Sequence, residues 1–204
     1  MIREKTMHQI WIGPKKIPLV WMETWKQKHP TWNFILWDNE RVKKYPFINK
    51  DKIEDLSSRG LYNGAADVIT YEVLYNYGGF VAQADGICLN PIDELMNIEE
   101  DCFTCYENEQ TKGKRLAMIL ASSKNCRLMW ELTEFLRGRT KIIIKPFLST
   151  GNKFFTQQVE RLQYPIKIYP SYYFLPTHCS GVKYEGTGKI YSEHIWGTTK
   201  NLYE

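Results

Sequence analysis

The stretch "NGAADVITYEVLYNYGGFVAQADG", residues 63–86, changes its hydrophobic period halfway. Ala66, Ile69, Val73, Leu74 and Tyr77 recur at intervals of three and four, the spacing of one helix face. Gly78 is a suitable C-terminal stop. After Gly79 the chain reads as a strand, Phe80 to Ala84, that carries Asp85 at its tip. In an extended segment side chains alternate, so Val81, Gln83 and Asp85 are expected on one face and Phe80, Ala82 and Ala84 on the other. The small residues Ala82, Ala84 and Gly86 let a ligand approach the backbone. A carboxylate and an amide on one face supply part of a hard divalent cation's oxygen shell, which phosphate oxygens and water can complete. Asp67 reads two ways, as a first-turn acid that offsets the helix dipole or as a ligand-binding group.

Outward from this segment, "HQIWIG" (8–13) reads as a short strand closed by Gly-Pro, and "PLVWMETWKQKHP" (18–30) as a helix. "WNFILWD" (32–38) is a second strand, and residues 39–60 hold short helices. "CFTCYE" and "RLAMILAS" read as strands, about 125–137 and 151–162 as helices, and "IKIYP" and "YYFLP" as short extended pieces. Alternating strands and helices predict an α/β fold with a mostly parallel central sheet flanked by helices. Ligands of such sheets bind beyond the carboxyl ends of the strands, where the Gly-Pro of the first strand and Asp85 both fall.

A chain of 204 residues, 43% hydrophobic and 25% charged, is expected to form one globular domain. It has no apolar run near the ~18 residues of a membrane span. "MIREKTMHQIW" lacks a signal peptide's apolar stretch, so the expected setting is a cytoplasm, unless the chain is a soluble domain of a longer one. The net charge of +4 suits a small anionic ligand. "GPKK", "RVKK" and "KGKR" are scattered and read as solvated faces, which argues against nucleic acid. Five cysteines make no disulfide framework. The Cys102/Cys105 C-x-x-C has no second pair for zinc, so buried thiols are the favoured reading. Seven Trp and thirteen Tyr belong mostly to the core, with a hint of flat ligands such as nucleobases and sugar rings. Glu107 and Glu109 read either as acceptor-facing acids or, preferably, as solvated loop acids.

In chain order, "HQIWIG", "AADVITYEVLYNYGGFVAQAD", "STGNKFF" and "EHIWGTT" resemble the glycosyltransferases with the sugar-binding DXD motif. These include yeast Och1-type mannosyltransferases, bacterial capsular and lipooligosaccharide transferases and, more distantly, the large clostridial glucosylating toxins. The resemblance spans about residues 7–199. It implies a GT-A-type nucleotide-diphospho-sugar transferase fold in a single domain, 1–204, with a nucleotide-binding part at about 1–90 and an acceptor side at about 91–204. It also implies metal-dependent transfer of a sugar from a nucleotide diphosphate, UDP in preference to GDP, to a glycan or glycoprotein, with retention of configuration. Mn²⁺ or Mg²⁺ is the implied cofactor.

By the same resemblance Trp11 stacks on the base, Asp67 bonds donor-sugar hydroxyls, and Asp85 is the last DXD acid and metal ligand. His194 and Trp196 close over the diphosphate, His194 adding a metal ligand and Trp196 acting with Asp85 in catalysis. Lys200, which departs from the family's usual tail, brings a cation to the phosphates. The sequence departs from the family at two donor-site positions, with Thr70 in place of an arginine and Gln83 in place of the first Asp. Glutamine still hydrogen-bonds hydroxyls as donor and acceptor but brings no charge, a pattern that suits an altered donor preference. The rival readings are a catalytically inactive sugar-nucleotide or glycan-binding module, a nucleotide-sugar hydrolase and a nucleic-acid-binding domain. The setting that fits is a bacterial cell or a virus-infected host cell.

Overall fold

The computed structural model describes residues 1–142 and 145–197. The first half alternates β1 (Thr6–Ile10), α1 (Leu19–Lys28), β2 (Asn33–Trp37), α2 (Asn39–Lys44), α3 (Lys50–Ser58), α4 (Tyr62–Tyr77), β3 (Gly79–Ala82) and β4 (Gly86–Cys88). The second half holds β5 (Cys102–Cys105), α5 (Glu109–Lys112), β6 (Leu120–Ser122), α6 (Arg127–Arg137), α7 (Pro146–Ser149), α8 (Asn152–Leu162), β7 (Lys167–Tyr169) and β8 (Ser192–His194). Six strands form one sheet in the order β2-β1-β3-β6-β5-β7. β1 runs parallel to β2 and β3, and β5 parallel to β7, while β6 is antiparallel to both its neighbours. β4 leaves this sheet to pair with β8. The architecture is the expected α/β one with a mixed, mostly parallel sheet.

α4 is the spine. Val68, Ile69, Tyr71, Val73 and Leu74 are fully buried because the helix packs against α3, α6 and the sheet at once. One apolar layer joins α4, α6 and α8 through residues such as Leu132, Phe154 and Val81. The opposite layer holds Trp25, Phe80, Ala82, Phe103 and Phe174. Burying each such side chain contributes about 1.5–3 kcal/mol.

The passage from α4 to β3 requires both glycines. Gly78 has φ 65° and Gly79 φ 95°, a region that L side chains rarely enter. A Cβ on Gly79 would stand 2.1 Å from the Thr6 carbonyl oxygen, and one on Gly78 2.5 Å from the Lys124 amide nitrogen. The helix therefore drops straight into a strand wedged beside β1.

The structure differs from the sequence expectation at four points. β3 ends at Ala82, and the Gly86 amide donates to the Gln83 carbonyl at 3.1 Å. Gln83 to Gly86 is thus a turn, and strand alternation does not set where Gln83 and Asp85 point. Asp and Gly are turn formers, and the chain must bend here for β4 to reach β8. Second, Asp67 lies in the second turn of α4, which has no first-turn acid, so the dipole reading loses its basis. Third, "YYFLP" coils as a 3₁₀ turn, Ser171–Tyr173, which buries Phe174 completely. Fourth, Cys102 and Cys105 are both buried, as favoured, but face opposite core layers, so the C-x-x-C is not a joint site. No helix among the described residues is long and apolar enough to cross a membrane.

Candidate functional site

A cavity of about 530 Å³ opens where β1 and β3 end. Its lining draws on β1 and the following loop (Trp11, Lys15), α4 (Asp67, Thr70), the turn after β3 (Gln83, Asp85) and β8 (His194). The sheet topology brings these distant segments together, because parallel β1 and β3 deliver their carboxyl ends side by side.

The loop after β1 is held firmly. The Trp11 amide donates to the Trp37 carbonyl at 3.0 Å, and its indole N–H donates to the Lys15 carbonyl at 2.9 Å. Asn39 clamps Gly13 by accepting from its amide and donating to its carbonyl, each at 2.9 Å. Gly13 has φ 104°, and a Cβ there would press into the Tyr62 ring at 2.8 Å. A fixed indole and Lys15 consequently stand on one wall.

Asp67 forms part of the opposite wall. Its Oδ2 accepts from the Thr150 hydroxyl at 3.0 Å, and the Tyr71 hydroxyl holds the same residue through the Thr150 carbonyl at 2.6 Å. Gly151 allows this approach, since a Cβ there would lie 2.9 Å from Asp67 Oδ2. Burial pushes the Asp67 carboxyl up to about 7, with the Thr150 hydroxyl opposing. Near neutral pH the group can therefore either accept or donate a hydrogen bond. Thr70 lines the cavity with its hydroxyl donated to the Ala66 carbonyl at 2.9 Å, a back-bond within the helix.

Asp85 is tied to the β8 segment twice. Its carbonyl accepts from the Ile195 amide at 2.8 Å, and its Oδ1 lies 3.3 Å from His194 Nε2. The Trp196 amide donates to His194 Nδ1 at 2.8 Å. A neutral imidazole whose Nδ1 accepts must carry its proton on Nε2, so His194 donates to Asp85. Trp196 follows in the same segment. It takes a left-handed φ of 59°, sets its ring 4.3 Å from the His194 ring at a tilt of 31° and gives its indole N–H to the Thr177 carbonyl at 2.8 Å. It is not among the cavity-lining residues. Lys200 lies outside the described residues.

The Asp85 carboxylate and the Gln83 amide oxygen are hard donors on one cavity rim, and they fit a hard divalent cation whose remaining ligands come from a bound anion and water. Sequence reasoning missed Tyr62, Asn63 and Met118, which line the same cavity and carry no motif. Lys15, read as solvated, is exposed and lines the cavity as well. Glu107 is not the solvated acid that was favoured. It accepts from Arg115 Nε and a terminal guanidinium nitrogen at 2.6 and 3.0 Å, and from Asn152 at 2.7 Å. Burial pushes its carboxyl up, but these bonds and the Arg115 charge outweigh burial and hold it below the usual range.

Residues 20–103 match the family model described as glycosyltransferase sugar-binding region containing DXD motif. Two curated relatives are from Schizosaccharomyces pombe (strain 972 / ATCC 24843). Inositol phosphoceramide mannosyltransferase 1 is 30% identical over 100 residues, 46% of this chain and 31% of that protein. Inositol phosphoceramide mannosyltransferase 3 is 31% identical over 99 residues, 46% of this chain and 27% of that protein. The chain thus spans about a third or less of the length of these curated relatives. Among solved structures, PaToxG Glycosyltransferase superposes with a TM-score of 0.62 at 17% identity, over 78% of this chain and 69% of that one. That likeness shows a shared fold.

Proposed function

We propose that this chain, whose residues 20–103 match the model of the DXD-type glycosyltransferase sugar-binding region, transfers a sugar from a nucleotide diphosphate donor to a glycan or glycoprotein acceptor with retention of configuration. The observation that carries the reading is the single cavity that gathers Trp11, Asp67, Gln83, Asp85 and His194 at the carboxyl ends of β1 and β3. In this reading Trp11 stacks on the base and Lys15 offers its ammonium to the phosphates. Asp67 and Gln83 bond sugar hydroxyls, and Thr70 shapes the wall beside them. Asp85 holds Mn²⁺ or Mg²⁺, which when bound supplies charge neutralisation at the departing diphosphate. His194 orients the Asp85 carboxylate, and Trp196 holds His194 in the required tautomer through its amide. Lys200 adds a further cation.

The fixed β1 loop and Asp67 wall provide orientation, and the leaving phosphate takes the acceptor proton. UDP is the preferred nucleotide over GDP. The relatives' names make mannose a donor sugar to test and inositol phosphoceramide an acceptor to test. A cytoplasmic setting, bacterial or in a virus-infected host cell, belongs to the same proposal.

The test is calorimetric titration of UDP with Mn²⁺ and again with EDTA, followed by UDP release from UDP-sugars with and without acceptor. Metal-dependent binding and acceptor-stimulated release are expected. The second reading, a non-catalytic sugar-nucleotide-binding module, draws on Gln83 and on the internally bonded Thr70. It predicts metal-dependent binding without any UDP release.

A further inference from the structure

At the other end of the sheet from the cleft, Asp101, Cys102 and Cys126 converge. One ligand atom from each lies within 4.8 Å of those of the other two. The two thiols are almost wholly buried, at 0% and 2% exposure, and Asp101 is half-buried. Three separate pieces of chain meet here. Asp101 and Cys102 open β5, Cys126 caps the N-terminus of α6, and Tyr164 beyond α8 donates its hydroxyl to Asp101 Oδ2 at 2.7 Å. Cys126 sits at the N-cap position of α6, where the helix dipole favours an anionic sulfur. The register places Cys102 level with Ser122, and Ser122 level with Gly79 at the start of β3. The cluster therefore lies away from Asp85, which follows the far end of β3.

We propose that Cys102, Cys126 and Asp101 form a binding site for a thiophilic divalent cation of the Zn²⁺ type. Two soft sulfurs and one carboxylate select such an ion over Mg²⁺ and Mn²⁺. A tetrahedral ion of this type takes bonds of about 2.0–2.3 Å, and the fourth position belongs to water. A coordinating thiol is deprotonated outright, so binding releases both thiol protons to solvent and leaves two thiolates and a carboxylate on the ion. Tyr164 acts from outside the ligand shell by fixing the second carboxylate oxygen, as such partners do at metal sites. The ion ties β5 to α6 across the core layer that carries α4. It does not depend on the proposed glycosyl transfer, and its ligands differ in hardness from those at Asp85.

The experiment is titration of the metal-free full chain, in a Cys179→Ser background that removes the exposed thiol, with Co²⁺ as a spectroscopic substitute. One Co²⁺ per chain is expected, with sulfur-to-cobalt charge-transfer absorption and tetrahedral ligand-field bands. Zn²⁺ should displace it, and millimolar Mg²⁺ should not. Cys126→Ser and Cys102→Ser should each abolish the charge-transfer band, and Asp85→Ala should leave it unchanged. Tyr164→Phe, a mild change, should weaken binding by about 10- to 100-fold. X-ray absorption of the Zn²⁺-loaded unsubstituted chain needs no variant to fold and should show two sulfur and two oxygen scatterers. Absence of the charge-transfer band, its persistence in both serine variants, or a zinc shell without sulfur overturns the site.

Discussion

Asp67 and Asp85 share one cavity yet are set up for different tasks. Asp85 lies on a turn beside a histidine N–H, and its side chain packs little core. Asp85→Ala is expected to weaken UDP binding in Mn²⁺ by on the order of 100-fold while shifting stability by less than about 1 kcal/mol. Calorimetry and a urea titration check the two halves separately. Gln83→Asp should lower the half-saturating Mn²⁺ concentration by roughly tenfold, because added ligand charge tightens cation sites. An unchanged Mn²⁺ dependence would remove position 83 from the site.

Asp67 instead titrates. Burial raises its folded-state pKa to about 7 from its ordinary 3.8, so the folded protein binds this proton more tightly than the unfolded chain. The contribution to stability is complete below about pH 4 and is lost as pH rises through about 7. Asp67→Asn should flatten that part of the pH–stability curve, measured by thermal melts from pH 4 to 8. At this scale the motif residues were legible because their types are chemically committed. Tyr62 and Lys15 were not, since nothing in an isolated tyrosine or a "GPKK" turn shows that both line one cavity.

Among the elements, the helix–glycine–glycine–strand unit is the most constrained. Gly79→Ala must move the Thr6 backbone, because the new Cβ would sit 2.1 Å from its carbonyl oxygen, and it also forces an alanine to φ 95°. The expected cost is about 3 kcal/mol or more, seen as a lower urea midpoint or as insoluble protein. A midpoint within error of the unsubstituted chain would contradict this geometry. The unit was readable because its period shifts from 3.6 to 2 at two glycines. The turn at Gln83 was not, since "VAQAD" alone continues an extended pattern and only the pairing of β4 with β8 makes the chain bend there. Glu107 shows the same limit. Its partners Arg115 and Asn152 are 8 and 45 residues away, and a surface-looking acid becomes an anchored one only when α8 packs against the β5 side.

For the molecule as a whole, the cavity walls come from residues as far apart as Ile10 and His194, so a ligand bound there couples the first strand to the last. UDP with Mn²⁺ at about 100 times its dissociation constant should stabilise the fold by about 2.7 kcal/mol, and EDTA should remove that gain. Differential scanning fluorimetry reads both. If only the soft-metal site is loaded, a thermal gain should persist in Asp85→Ala and vanish in Cys126→Ser, which keeps the two ions distinguishable.

The sequence by itself determined the α/β class, the α4–β3 unit and the chemical identity of the groups at the strand ends, because hydrophobic period, glycine conformation and side-chain type are local properties. The tertiary structure alone decided which groups meet. It set His194 against Asp85 as a proton donor, turned the Trp196 indole toward Thr177, and placed Thr150 on Asp67. It also separated Cys102 from Cys105 and joined it to Cys126. Each of these is a non-local contact between strands and helices far apart in the chain, whose partners follow from how the sheet is ordered and how its two faces are covered.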